Sequence, residues 1–165
     1  MPTRPVERPG PERAGRLIER LGLVPHVEGG HYRRIHTSAA PAGTRPALSA
    51  IHFLLRAGES SAWHRVDADE AWHFVEGEAL ELLIYQPDDD QLRRCRLGPL
   101  AEAPNDASAP IQVVPAGAWQ AARSLGAYTL CTCLVAPAFD FAGFRLLDDA
   151  ALAARLRALV PELQR

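Results

Sequence analysis

Gly58-Glu59-Ser60-Ser61-Ala62-Trp63-His64-Arg65-Val66-Asp67-Ala68-Asp69-Glu70-Ala71-Trp72-His73-Phe74-Val75-Glu76-Gly77 is the stretch whose reading decides the fold. Two histidines, two tryptophans and the carboxylates Asp67, Asp69 and Glu70 crowd a short bend, with Glu59 and Glu76 beside the bounding glycines. Apolar alternation on either side predicts strands over 63–66 and 71–75, joined by a turn at 67–70. Alternate strand residues share a face. His64 and Val66 therefore look one way on the first strand, and Glu70, Trp72 and Phe74 share a face on the second. Folded antiparallel by a tight turn, the two strands would bring His64 and Glu70 together. His73 is out of phase with Glu70, and Trp63 with His64, so both are expected on opposite faces.

The surrounding chain repeats this strand-and-turn pattern. Residues 1–10 hold three prolines and little apolar content, which predicts a disordered leader. Residues 11–165 read as one domain. Leu17, Ile18 and Leu21 recur at helical spacing over 12–23, with Gly22 and Pro25 marking the helix end. Gly29-Gly30 predicts a turn or a close backbone approach. Strands are expected over 31–37, 48–55, 80–86, 92–97, 111–114, 119–123 and 128–135, with the loop 98–110 between two of them. Asp148 can cap a last helix over 149–159, with Ala151, Leu152, Leu156 and Leu159 as its apolar stripe. Eight to ten short strands bracketed by helices make an all-β sandwich or barrel with flanking helices, not alternating βαβ units.

Composition narrows the function classes. A net charge of −2 over 165 residues gives no basic face for nucleic acid. No apolar run approaches the ~18 residues of a membrane span. The N-terminal residues lack the apolar core of a signal peptide. Cys95, Cys131 and Cys133 form no disulfide framework; Cys131 and Cys133 share a strand face and read as small buried hydrophobes, and a cytoplasmic location is expected. A redox or thiolate metal pair is the alternative for those two.

His64 and Glu70 with a third ligand would suffice for a divalent metal. Alternatively, a carboxylate walled by Trp63, Trp72 and Phe74 would have its pKa raised by desolvation and could serve as acid or base near neutrality. A third alternative is a hydrogen-bonded His–Glu pair with only a structural role. His52, within a buried run, could turn into the same cavity. Arg33 or Arg34 could reach an anionic ligand. His26, His31 and His36 are individually weak signals.

Gly58-x5-His64-x-Val66-x3-Glu70-x6-Gly77 resembles the first cupin motif, G-x5-H-x-H-x3-E-x6-G, and Pro115-Ala116-Gly117-Ala118-Trp119-Gln120 resembles the core of the second, P-x-G-x-x-H. More closely, Glu28–Arg33, Ser61–Phe74 and Val135–Phe141 resemble Cupin_5, the former DUF985, described as predicted sugar-epimerase-like cupins. The resemblance covers nearly all of 13–165. It implies a double-stranded β-helix, a cupin jelly-roll barrel of two antiparallel sheets with the site in its mouth, and a homodimer paired through a sheet. Where a metal-binding cupin has its second and last histidines, this chain has Val66 and Gln120. His64, Glu70 and Gln120 would hold a divalent metal only weakly, so no tightly bound cofactor is expected.

By analogy with cupin epimerases, His64 would be a base oriented by Glu70, Tyr32 or Tyr128 an acid, and Arg33 or Arg65 an anchor for an anionic group. Glu28, His52, Trp72, Phe74, Trp119 and Gln120 complete the expected ligand-binding set, for a sugar-like small molecule. The same aromatic mouth would also suit a binding module without turnover.

Overall fold

A computed structural model describes residues 10–101 and 107–163. The expected leader, apart from Gly10, lies outside the described residues, as does the middle of the loop 98–110. Helix α1 (Pro11–Leu21) leads, followed by β1 (Val24–Pro25), β2 (His31–Thr37), β3 (Ser49–Arg56), β4 (Ser60–Arg65) and β5 (Asp69–Gly77). Then come β6 (Leu80–Gln86), β7 (Gln91–Leu97), β8 (Ser108–Ala109), β9 (Ile111–Val114), β10 (Trp119–Ser124), β11 (Tyr128–Ala136) and β12 (Arg145–Leu146), with α2 (Ala150–Leu159) last. Twelve strands among the described residues exceed the expected eight to ten, because two-residue ladders such as β1 and β12 leave no alternation to read.

Six strands form each of two sheets, in the orders β1-β2-β3-β11-β5-β9 and β12-β4-β10-β6-β7-β8. The fold is the all-β barrel of two facing sheets with flanking helices that the motifs implied. Strand periodicity accounts for its three layers of packing. Phe53, Leu55, Trp72, Leu82, Ile84 and Cys131 turn inward and fill the space between the sheets. Their neighbours Leu54, Tyr128 and Leu130 turn outward under Ala14 and Leu17 of α1. On the other sheet, Trp63, Leu83, Tyr85 and Trp119 turn outward to meet Leu156 of α2 with Val160 and Leu163. Strands covered on both faces read as continuous apolar runs, which is why 80–86 and 128–135 carry so little alternation. Each large apolar side chain buried this way contributes about 1.5–3 kcal/mol.

Three local expectations are corrected. The bend 66–68 is no hairpin: β4 pairs with β10 and β12, whereas β5 pairs with β11 and β9, so the chain crosses from one sheet to the other. Asp149, not Asp148, caps α2, its carboxylate accepting from the amides of Ala151 and Leu152. Leu159 stays exposed rather than completing the apolar stripe. Among the described residues, no helix is long and apolar enough to cross a membrane.

Candidate functional site

The crossing at 66–68 is what builds the site. It leaves His64 on the inner face of one sheet and Glu70 on the inner face of the other, both lining a cavity of about 290 Å³. Tyr32, Val66, Val135, Phe139 and Phe144 supply much of the apolar lining, and exposed Arg34 and Phe141 also border it.

Glu28 enters from the turn before β2. The His26 amide donates to the Gly30 carbonyl at 3.0 Å, and the Gly29 amide to the His26 carbonyl at 3.0 Å. Gly30 sits at φ +70°, where a Cβ would come within 2.9 Å of the Leu54 carbonyl oxygen, so the Gly-Gly pair serves both a turn and a close approach. The Ala62 amide donates to the Glu28 carbonyl at 2.7 Å and ties this turn to β4.

Two polar groups result. In the first, Glu28 Oε2 lies 3.3 Å from His64 Nε2 and 3.4 Å from His26 Nδ1. His64 Nδ1 is 2.8 Å from the Ala62 carbonyl, which can only accept, so Nδ1 carries the proton. His26 Nδ1 accepts from the Glu28 amide at 3.3 Å, so its proton is on Nε2. Burial pushes both imidazoles down to about 4, leaving them neutral near pH 7. Burial, reinforced by the facing Glu70, pushes the Glu28 carboxyl well above the usual range. The protonated carboxyl thus has an imidazole lone pair to donate to.

In the second group, Gln120 Nε2 donates to Glu70 Oε2 at 2.6 Å, and the Trp72 indole donates to Gln120 Oε1 at 2.9 Å. The Cys133 thiol also hydrogen-bonds Glu70. Burial pushes Glu70 up to about 7, against the lowering effect of Gln120 and Cys133. The carboxylate expected to orient His64 therefore bonds an amide and a thiol, and His64 is held by Glu28.

The ligand set expected for a metal does not fit one. Val66 offers no donor atom, and the Gln120 oxygen accepts from Trp72 while its amide nitrogen faces Glu70. Among the described residues, no three His, Cys, Asp or Glu side chains converge as metal ligands do.

The remaining candidates divide by strand phase. Tyr32 and Trp72 line the cavity; Tyr32 stands edge-on to His26 with ring centroids 4.4 Å apart. Arg33 borders the cavity while Nη1 donates to the Leu21 carbonyl at 3.0 Å. Gln120 stands off the lining, against Glu70. His52 turns to the outer face beside Thr132, because Ile51 and Phe53 take the inner positions of β3. Phe74 packs on the inter-sheet core off the cavity lining. Trp119 belongs to the outer cluster beneath α2, with Arg65 stacked on its ring 5.0 Å from the centroid. Tyr128 is also outside, its hydroxyl donating to Glu76 at 2.7 Å. His26 and Phe144, not singled out by the sequence, complete the lining. The Gly-Gly turn beside His26 was the one signal for it.

The family model for the cupin superfamily group DUF985, Cupin_5, matches residues 15–147. Among solved structures, a structural-genomics protein from Shewanella oneidensis is 36% identical, covers 92% of this chain and 97% of its own, and superposes with a TM-score of 0.82. A hypothetical protein from Leishmania major is 29% identical over 91% of this chain and 93% of its own, with a TM-score of 0.73. Oxalate decarboxylase from Bacillus subtilis shares the fold at 12% identity, covering 84% of this chain and 34% of its own, with a TM-score of 0.58. No curated protein matches the chain. With most of its length matched and its barrel shared, the chain belongs to the Cupin_5 (DUF985) family of the cupin superfamily.

Proposed function

We propose that the protein is a metal-independent proton-transfer enzyme, an epimerase or isomerase acting on a sugar-like small molecule. The observation that carries this reading is the pair of buried carboxyls facing one cavity, both pushed up by burial, one beside an imidazole nitrogen and the other bonded by an amide and a thiol. Glu70, ionising at about 7, is poised as the base that takes a proton from carbon next to a carbonyl. Glu28, protonated and backed by neutral His64 and His26, is the acid that delivers one to the carbonyl oxygen. Return of the proton from Glu70, with Glu28 taking back its own from the oxygen, restores both groups. When the proton instead arrives from the second face, Glu70 keeps the abstracted proton and gives it to solvent, and the second-face donor regains one from solvent, before the next turnover. Tyr32 is the phenol on the same lining and the candidate donor for reprotonation from the second face.

The test is exchange of carbon-bound hydrogen in D₂O across a panel of aldoses, ketoses and their phosphates, followed by NMR. Wild-type protein should catalyse exchange at the carbon next to the carbonyl, and Glu70→Gln should not. Binding without exchange would instead support a non-catalytic binding module, the reading favoured by the apolar lining of Phe139, Phe144, Val66 and Val135. Exchange that survives in Glu70→Gln would remove the assigned base.

A further inference from the structure

The arginines of this chain are mostly committed. Arg13 pairs with Glu76, Arg45 with Asp67 through two hydrogen bonds, Arg56 with Glu59, and Arg94 and Arg123 with Glu81. Of the cations considered as anchors, Arg33 is spent on the last-turn carbonyl of α1, and Arg65 on the outer ring of Trp119. Arg34 is different. Its strand phase, opposite Ile51 of β3, turns it to the cavity side of β2. It makes one long hydrogen bond, 3.4 Å to Thr37 Oγ1, and lies over the Phe139 ring at 5.8 Å from the centroid. Among the described residues, no carboxylate pairs with it.

Its position is also singular. Beside the barrel cavity lies a second, more polar hollow containing Thr37, Thr44 and the Arg45–Asp67 pair's guanidinium, with Asp140 as its one carboxylate. The two hollows share Arg34, Phe139 and Phe141. Asp140 is occupied in accepting from the Ala142 amide at 2.9 Å. A ligand filling the barrel and extending outward passes the Arg34 guanidinium at the join.

We propose that the ligand of the barrel is an anion: a neutral, sugar-sized body inside, and a phosphate or carboxylate outside, held by Arg34. This takes the barrel cavity to be the ligand site of the reading above and narrows its substrate to acidic or phosphorylated sugars. A planar guanidinium with free N–H groups suits either oxyanion, and a charge-assisted hydrogen bond of this kind is worth on the order of tenfold or more in affinity.

The test is calorimetric titration of the full chain with glucose, glucose 6-phosphate, glucuronate and inorganic phosphate. At least one charged sugar should bind tenfold or more tightly than glucose, and inorganic phosphate should bind more weakly than the sugar phosphate; which charged sugar wins distinguishes phosphate from carboxylate. Arg34→Gln should abolish that preference and Arg34→Lys should keep part of it, with melting temperatures unchanged because the side chain is exposed. Equal binding of charged and neutral sugars, no binding of any charged sugar, or a preference untouched in Arg34→Gln would each overturn the proposal. Charge preference without hydrogen exchange would sink only the catalytic reading; exchange on neutral sugars without charge preference would sink only this one.

Discussion

Glu28 and Glu70 are buried almost equally, at 6% and 7% exposure, and line the same cavity, yet their surroundings differ in kind. Glu70 is met by donors, the Gln120 amide and the Cys133 thiol, which stabilise a carboxylate and hold its pKa to about 7 despite burial. Glu28 is met by the lone pair of neutral His64 Nε2, which stabilises a carboxylic acid, with the neutral His26 ring beside it accepting from the Glu28 amide. Burial supplies the upward push in both, and the hydrogen-bond partner decides which one lets its proton go. One cavity thus holds two carboxyls of the same residue type in opposite hydrogen-bonding surroundings, the contrast on which the proposed base and acid roles rest.

The comparison breaks most visibly if either carboxyl is made an amide. Glu70→Gln and Glu28→Gln should each slow substrate hydrogen exchange by about 10²–10⁴-fold, the usual worth of a positioned acid or base, measured by NMR in D₂O. An unchanged rate in one of them would leave a single working carboxyl. Next in size is Gln120→Ala, which strips Glu70 and the buried Trp72 indole of a partner. Denaturant unfolding should show a loss of about 2–4 kcal/mol, the cost of two unsatisfied buried groups.

The pH dependence of stability separates the two groups more gently. Glu70 rises from 4.5 to about 7 on folding, so its folded form holds a proton that the unfolded chain has already released. Wild type should lose stability relative to Glu70→Gln as pH rises from about 4.5 to about 7, with no further change above. His64 moves the other way, from 6.5 to about 4, so wild type should lose stability relative to His64→Gln as pH falls across that interval. Chemical denaturation in steps of pH would show two opposite slopes; slopes of the same sign would mean the groups are not distinguished as described. The smallest effects belong outside the barrel. His52→Ala and Arg65→Ala should change exchange less than twofold and stability by under about 0.5 kcal/mol, since neither touches the cavity.

Local pattern made much of this legible. Period-two alternation placed His64 inward with Trp63 and His73 outward, and the cupin-like spacing gave the barrel. The bend at 66–68 misled because a hairpin and a sheet-to-sheet crossing look alike over three residues. What separates them is pairing with β10 and β11, more than fifty residues downstream. The same distance hid the exchange of partners: Gln120 reaches Glu70 only because β10 and β5 face each other across the barrel. Glu28 and His26 lie in a turn, where no alternation fixes side-chain direction, so their meeting with His64 was beyond any periodic reading. Trp119 and Tyr128 were drawn toward the mouth by their size, yet both serve as outer cover for a helix.

All of this rests on where one proton sits between Glu28 Oε2 and His64 Nε2, 3.3 Å apart. Side-chain ¹⁵N and ¹³C NMR of labelled protein at pH 7 reads that proton directly. The predicted result is a protonated Glu28 carboxyl, a neutral His64 bearing hydrogen on Nδ1 alone, and a neutral His26 bearing it on Nε2. An ionised Glu28 beside a doubly protonated His64 imidazolium would contradict it.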